Sequence, residues 1–414
     1  MPARTPRYNP PMAAAQSRTG PGEHRRLAAN IPKLYAIRAL FWMHFFASVL
    51  VPFFRDWGGI SYQQIFLLNA WFMVWNFVLE IPTGTAADFF GRRVSLTIGP
   101  IVAAVAAVVY ASTPAFGIFL IGELLFAIAF TLMSGADEAL AWDTLRRLGS
   151  EGQARQVLAR MESFKLIGLV AGALSGSWIA ASFGLRTPLF LQAAPFLLSA
   201  WLAATLHEPP GEHGTAAKGA YGDMLREGLR YFRQHAALRA LTVDMVGVSA
   251  MAWMIIWLYQ PALEAAGIGL AWFGLVHAAM CLTQVAVLSR VGWMEQRLGS
   301  QLRYLRLSAL LPGLGFLLLG AQNVPWLVVP TILVTAGFGL TRNVVFSAYI
   351  HRHVPSAHRA TVLSAVSMVR MLTAAVANVT IGAIADRTIS GALLAAGLIT
   401  VALFLRGGAT EEHL

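Results

Sequence analysis

Apolar positions in this chain fall in long unbroken runs. They show neither the alternation of a half-buried strand nor the single stripe of a soluble helix. About 20 mostly apolar residues span the hydrocarbon core of a bilayer. Twelve runs meet that length, at 34–54, 64–87, 94–112, 116–141, 165–183, 187–206, 240–263, 270–289, 304–321, 325–349, 360–384 and 388–405. They predict an all-α polytopic membrane protein of 12 transmembrane helices, with loops too short for a folded soluble domain. The longest interior polar stretch, 207–239, parts the runs into two six-helix bundles, 34–206 and 240–405. Residues 1–33 read as a disordered basic tail and 406–414 as a second short tail. In the 207–239 linker, Tyr221, Leu225, Leu229 and Phe232 share one helical face, with Arg226, Arg230 and Arg233 off it. That suits a helix lying on the inner leaflet, or equally a solvated linker helix.

Composition agrees with a lipid solvent. Of 414 residues, 57% are hydrophobic and only 12% are charged, and a soluble chain of this size cannot cover its surface with so few charges. The net charge of +11 would point to nucleic acid in a soluble protein, but its placement gives another explanation. With the N-terminus inside, 25 Lys and Arg residues fall in cytoplasmic segments and three, Arg55, Arg186 and Arg387, in external loops. This bias predicts both termini in the cytoplasm and a multi-pass protein of the inner (plasma) membrane, with no nucleic-acid partner. The first 33 residues lack an apolar core followed by a small-residue cleavage site, so no removable leader is expected. The single cysteine, Cys281, excludes a disulfide framework and cysteine-based metal sites. No cofactor is expected, and the chain is read as monomeric.

Between the second and third runs the sequence reads Gly84-Thr85-Ala86-Ala87-Asp88-Phe89-Phe90-Gly91-Arg92-Arg93. This resembles the cytoplasmic signature of the major facilitator superfamily, G-x-x-x-D-x-x-G-R-R/K, in residue type and spacing. Gly292 to Gly299 repeats the Gly–Gly interval at the equivalent place in the second half, with Gln296 in place of the acid and Glu295 beside it. The resemblance implies the fold of that family, a secondary transporter that works by alternating access between two rocking bundles. It also implies a cytoplasmic gate at Gly84, Asp88, Gly91, Arg92 and Arg93. There Gly84 would permit close helix approach, Asp88 would face a helix N-terminus, and the arginines would pair with acids such as Asp143. Two stretches depart from the drug/proton antiporters of the family. Glu123 follows Gly122 where those carry an Arg, and Gly168, Gly172 and Gly176 form a small-residue stripe without the usual Pro.

Ionisable residues inside a membrane are costly and face a partner or a cavity. Here they are Arg38, His44, Glu80, Glu123, Asp137, Glu138, Asp244, His277, Arg342 and Arg370. None lies on the third, sixth, ninth or twelfth run, the outer supports in the implied fold. Glu80, Glu123 and His277 are the candidates for proton coupling, with a structural pair such as Glu80–Arg370 as the competing reading. Arg342 and Arg370 would bring positive charge to the cavity. The pairs Trp71/Trp75 and Trp253/Trp257 would supply aromatic walls, which suit amphipathic or planar ligands. No catalytic residues are expected: His351 and His353, the nearest approach to a metal or acid–base pair, stand in a loop without partnered acids. The favoured expectation is proton-coupled efflux of a small amphipathic or hydrophobic compound. A proton-coupled importer or uncoupled facilitator of a small anionic solute or nutrient is the alternative, and a receptor or intramembrane enzyme a remote one.

Overall fold

Backbone polar groups in hydrocarbon must be satisfied within their own segment, so long apolar runs become helices. A computed structural model describes residues 20–209, 236–353 and 359–407. Among these residues the fold is entirely helical. Before the linker come α1 (Pro21–Ala28), α2 (Asn30–Phe41), α3 (Tyr62–Phe90), α4 (Arg92–Tyr110), α5 (Phe116–Met133), α6 (Ala136–Arg147), α7 (Ala154–Phe183) and α8 (Ala193–Ala204). After it come α9 (Ala236–Trp253), α10 (Ile255–Ala265), α11 (Phe273–Leu298), α12 (Gln301–Ala321), α13 (Pro325–His353), α14 (Arg359–Ala385) and α15 (Ile389–Arg406). Nine helical stretches among the described residues are long and apolar enough to cross a membrane. The tail before residue 20, the candidate interfacial helix at 221–233 and residues 408–414 lie outside the described residues. So do the side chains of Asp88, Asp244, His351 and His353.

Four expectations about boundaries need correction. The predicted tail reached residue 33, but α1 and the start of α2 are ordered, with Leu27 and Asn30 buried. Asn30 donates to the His207 carbonyl at 2.7 Å and accepts from the His207 amide at 3.0 Å, so His207 closes the first bundle rather than opening the linker. A criterion built on apolar runs cannot see such a polar clamp. The 116–141 run divides into α5 and α6 at Gly135, whose φ of +73° ends the first helix. The 34–54 run is no continuous helix. It stops at Phe41 and turns through residues 42–49 before a single turn at Leu50–Pro52 and a π turn at Phe53–Trp57.

The break in that run follows from its neighbour. Gly168, Gly172 and Gly176 of α7 present a groove without side chains, and the chain from Ala39 to Phe45 lies in it. A Cβ on Gly172 would stand 2.5 Å from the His44 amide nitrogen, and one on Gly168 or Gly176 would collide with the carbonyls of Ala39 or Phe45. Side chains satisfy the freed backbone: the Phe45 amide donates to Gln192 Oε1 at 2.7 Å and the Val51 amide to Gln260 Oε1 at 2.9 Å. Irregular backbone at membrane depth is tolerated where protein or a cavity surrounds it.

Among the described residues the chain halves meet chiefly along α3 against α14 and α7 against α11, with α10 against the turn at Leu50–Pro52. The described contacts across the halves gather at one end, which we name after Gln63. Its amide donates to Asp386 Oδ1 at 3.4 Å, Phe66 fits over Gly382, and Ser177 Oγ donates to the Ala271 carbonyl at 3.1 Å. The opposite end carries Arg92 and the signature loop.

Candidate functional site

The helix seams leave a cavity of about 440 Å³ between the halves, within the range of small-ligand sites. The broken segment supplies Trp42, His44 and Phe46 to one wall, α3 supplies Phe72 and Asn76, and α5 supplies Glu123, Phe126 and Phe130. From the second half come Trp253, Trp257, Gln260, His277, Asn343 and Arg370. The rings form a connected wall: Trp42 and Phe130 lie 5.5 Å apart edge to face, Phe46 and Phe126 5.7 Å apart, and His44 stacks on Phe46 at 5.1 Å.

At the Gln63 side of the cavity one amide ties the halves together. Gln260 on α10 accepts from the Val51 amide and donates to the Ala47 carbonyl at 3.1 Å, both on the broken segment. It also donates to the Tyr259 hydroxyl at 3.2 Å, which stands 3.0 Å from His277 Nδ1. His277 thus reaches the broken segment through two residues. Trp253 adds a further link across the halves, donating to Asn69 Oδ1 at 3.4 Å.

The sequence-derived candidates divide. Glu123, His277, Arg370, Trp253 and Trp257 line the cavity together. Glu80 is exposed and outside the lining, though within electrostatic range of Arg370. Arg342 does not bring charge to the cavity. It is 1% exposed and donates to the Leu305 carbonyl and Ser308 Oγ, each at 2.6 Å, with its guanidinium over the Phe346 ring. A buried guanidinium needs acceptors, and α12 provides them. Trp71 and Trp75 also stand outside the lining: Trp71 donates to the Leu120 carbonyl at 3.1 Å and meets Trp75 edge to face, which fixes α3 to α5.

At the signature loop, Arg92 pairs with Asp143 within the first half and donates to the Ala139 carbonyl at 3.0 Å. Gly91 takes a φ of +97°, a conformation suited to glycine. The tight turn lets Glu208 cap α4, its carboxylate accepting from the Arg92 amide at 2.6 Å and the Arg93 amide at 3.3 Å. Gly84 is exposed, and a Cβ on it would meet nothing within 4 Å, so the close approach expected there is not made in this conformation.

Several site features escaped the sequence reading. Arg38 bonds Asp137, Glu162 and, at 3.2 Å, Glu138; Lys165 reaches Glu162 at 3.3 Å and covers the Trp42 ring. Arg38, Asp137 and Glu138 were visible as charges at membrane depth, but Glu162 and Lys165 lie at the edge of an apolar run. Glu208 sits just past one. Tyr110, whose hydroxyl faces the Glu123 carboxyl, has nothing in its sequence surroundings to mark it.

The comparisons with known proteins agree with this architecture. A mutant of the nucleoside transporter NupG superposes with a TM-score of 0.77 at 13% identity, covering 92% of this chain and 98% of that one. A bacterial homologue of the human lysosomal transporter Spinster, inward-facing and unoccupied, gives 0.70 at 14% identity over 93% and 95%. The D-xylose–proton symporter gives 0.68 at 13% over 90% and 97%. These identities speak for the fold alone. In sequence, a class G tetracycline resistance protein from Vibrio anguillarum is 28% identical over 265 residues, 62% of this chain and 64% of that protein, just under two thirds of its length. The family model described as Major Facilitator Superfamily matches residues 34–378, through both seams and the cavity between them, and the chain therefore belongs to that superfamily of membrane transporters.

Proposed function

We propose that the chain is a secondary transporter of twelve spans with both termini in the cytoplasm, which exports a small amphipathic or hydrophobic compound in exchange for protons. The observation that carries this reading is the cavity: rings from both halves line it, a carboxyl group stands among them, and the described contacts between the halves gather at the Gln63 end. With the basic residues inside, the Gln63 end is external and the conformation is inward-facing. Rocking of the halves would break the Gln260 bonds and carry the cavity to the other side. Glu123 is our choice of proton carrier, with His277 as a second group linked through Tyr259 to the broken segment. Asp88 is the proposed gate residue of the cytoplasmic end, beside the Arg92–Asp143 pair that braces the first half.

A fluorescent amphiphile presented to inside-out vesicles tests this. An exchanger driven by protons accumulates the compound when the lumen is made acid and stops when a protonophore is added. Uptake only toward an alkaline lumen would instead support the importer reading, which Arg370 at the cavity wall favours. Transport indifferent to the gradient would remove proton coupling.

A further inference from the structure

We propose that the cavity binds a lipophilic organic cation, with the positive centre against Glu123 and the organic groups against the rings around it. This deepens the export reading and rests on the cavity being the substrate site. Glu123 is only 8% exposed, yet its residue lines the cavity. Among the described residues no Lys, Arg or His lies within ion-pair distance of its carboxyl group, whose near polar neighbour is the Tyr110 hydroxyl. A carboxyl group in so apolar a wall holds either a proton or a counter-cation, because a bare carboxylate there is costly. Among the described residues none supplies such a cation at ion-pair distance, Arg370 included.

The surroundings select the kind of cation. Tyr110 and Phe126 stand 5.5 Å apart, Phe126 and Phe46 5.7 Å, and Phe46 stacks with His44. Ring faces attract a cation whose charge is spread over organic groups. A metal ion or a small ammonium, strongly hydrated, would lose its water to a wall that offers few oxygen ligands in return. The charged and titratable groups that face this space from other elements are His44 on the broken segment, His277 on α11 and Arg370 on α14. Arg370 lies in the field of Glu80 on α3, which offsets its charge, and the acid with its rings belongs to the first half.

Two ions of nearly the same size and shape separate charge from hydrophobicity: tetraphenylphosphonium and tetraphenylborate. Equilibrium binding to the purified full chain in detergent is expected to be saturable for the phosphonium and much weaker for the borate. Glu123→Gln should raise the phosphonium Kd by about thirtyfold or more, the loss typical of truncating one partner of a buried charge pair. Phe126→Leu, which keeps an apolar side chain but removes a ring face, should raise it by about two- to fivefold. Borate binding as tight as phosphonium, or Glu123→Gln binding like the parent, would overturn the proposal. If Glu123→Gln does not yield folded protein, the comparison of the two ions on the parent and the Phe126→Leu result decide it. Binding needs no gradient, so phosphonium binding without proton-driven flux would refute the export reading and keep the site. Proton-driven flux of a neutral amphiphile without phosphonium binding would do the reverse.

Discussion

The two ends of this bundle are held together by different chemistry. At the Gln63 end the halves meet mostly through neutral groups, the Gln260 amide on the backbone of residues 47 and 51, Ser177 on the Ala271 carbonyl and Phe66 over Gly382, with one exposed carboxylate, Asp386, accepting from the Gln63 amide. At the Arg92 end the described ion pairs stay inside the first half: Arg38 with Asp137 and Glu162, Arg92 with Asp143. The difference follows from the cost of separation. An amide–carbonyl bond contributes about 0.5–1.5 kcal/mol net and is readily exchanged. Removing one partner of a buried ion pair costs about 3–5 kcal/mol. A seam that opens in each cycle is better made of the first, and the inner frame of a rigid half can use the second.

The largest effect is expected at Arg38. It is 8% exposed and bridges α2, α6 and α7. Arg38→Leu leaves the buried Asp137 without its cation and should destabilise the folded protein by about 3–5 kcal/mol, read as a large fall in thermal unfolding temperature in detergent. An unchanged unfolding temperature would show that the cluster is no structural frame. Next comes the glycine groove. Gly172→Val places side chain where the His44 amide lies and should cost about 1–3 kcal/mol through overpacking. It should also displace His44 and Phe46 from the cavity wall, so ligand binding falls in protein that still folds. Intact binding in this variant would separate the groove from the site.

The same contrast explains what could be read from the sequence. The helical runs, the Arg92–Asp143 pair and the glycine stripe were legible because each depends on local spacing or on a charge that has few places to go. Glu123, His277 and Arg370 were found by the cost of charge in lipid, without knowledge of any contact. That rule says a partner or cavity exists, and not which. It therefore treated Arg342, which α12 absorbs, the same as Arg370, which faces the cavity. The turn at 42–49 has no Pro or Gly to announce it; its cause lies more than a hundred residues away on α7. Glu208 and Glu162 sit beside apolar runs, where a charge is unremarkable until the helix end it caps or the arginine it meets is known.

Gln260 tests the neutral seam itself. Gln260→Leu keeps the volume but leaves the Val51 amide and Ala47 carbonyl without their bonds across the halves. A loss of about 1–2 kcal/mol from this conformation shifts a two-state population by about five- to thirtyfold. With the lone native cysteine replaced (Cys281→Ser) and a reporter at a buried position of the seam (Ser177→Cys), thiol labelling should accelerate in the Gln260→Leu background. Labelling at the parent rate would mean that apolar packing such as Phe66 on Gly382 holds the seam without the amide.

The smallest effect marks the other side of the comparison. Arg146 reaches Asp143 at only 4.0 Å and its side chain is 62% exposed, whereas Arg92, on the same carboxylate, is 28% exposed. An exposed pair one helical turn apart contributes about 0–1 kcal/mol, so Arg146→Ala should leave both unfolding temperature and transport near the parent values. Arg92→Ala removes the closer pair and the bond to the Ala139 carbonyl, and should lower both. Equal losses in the two variants would mean that charge near Asp143 matters only in bulk, as the positive-inside bias alone requires. Unequal losses would assign the Arg92 pair a place in the frame of the first half.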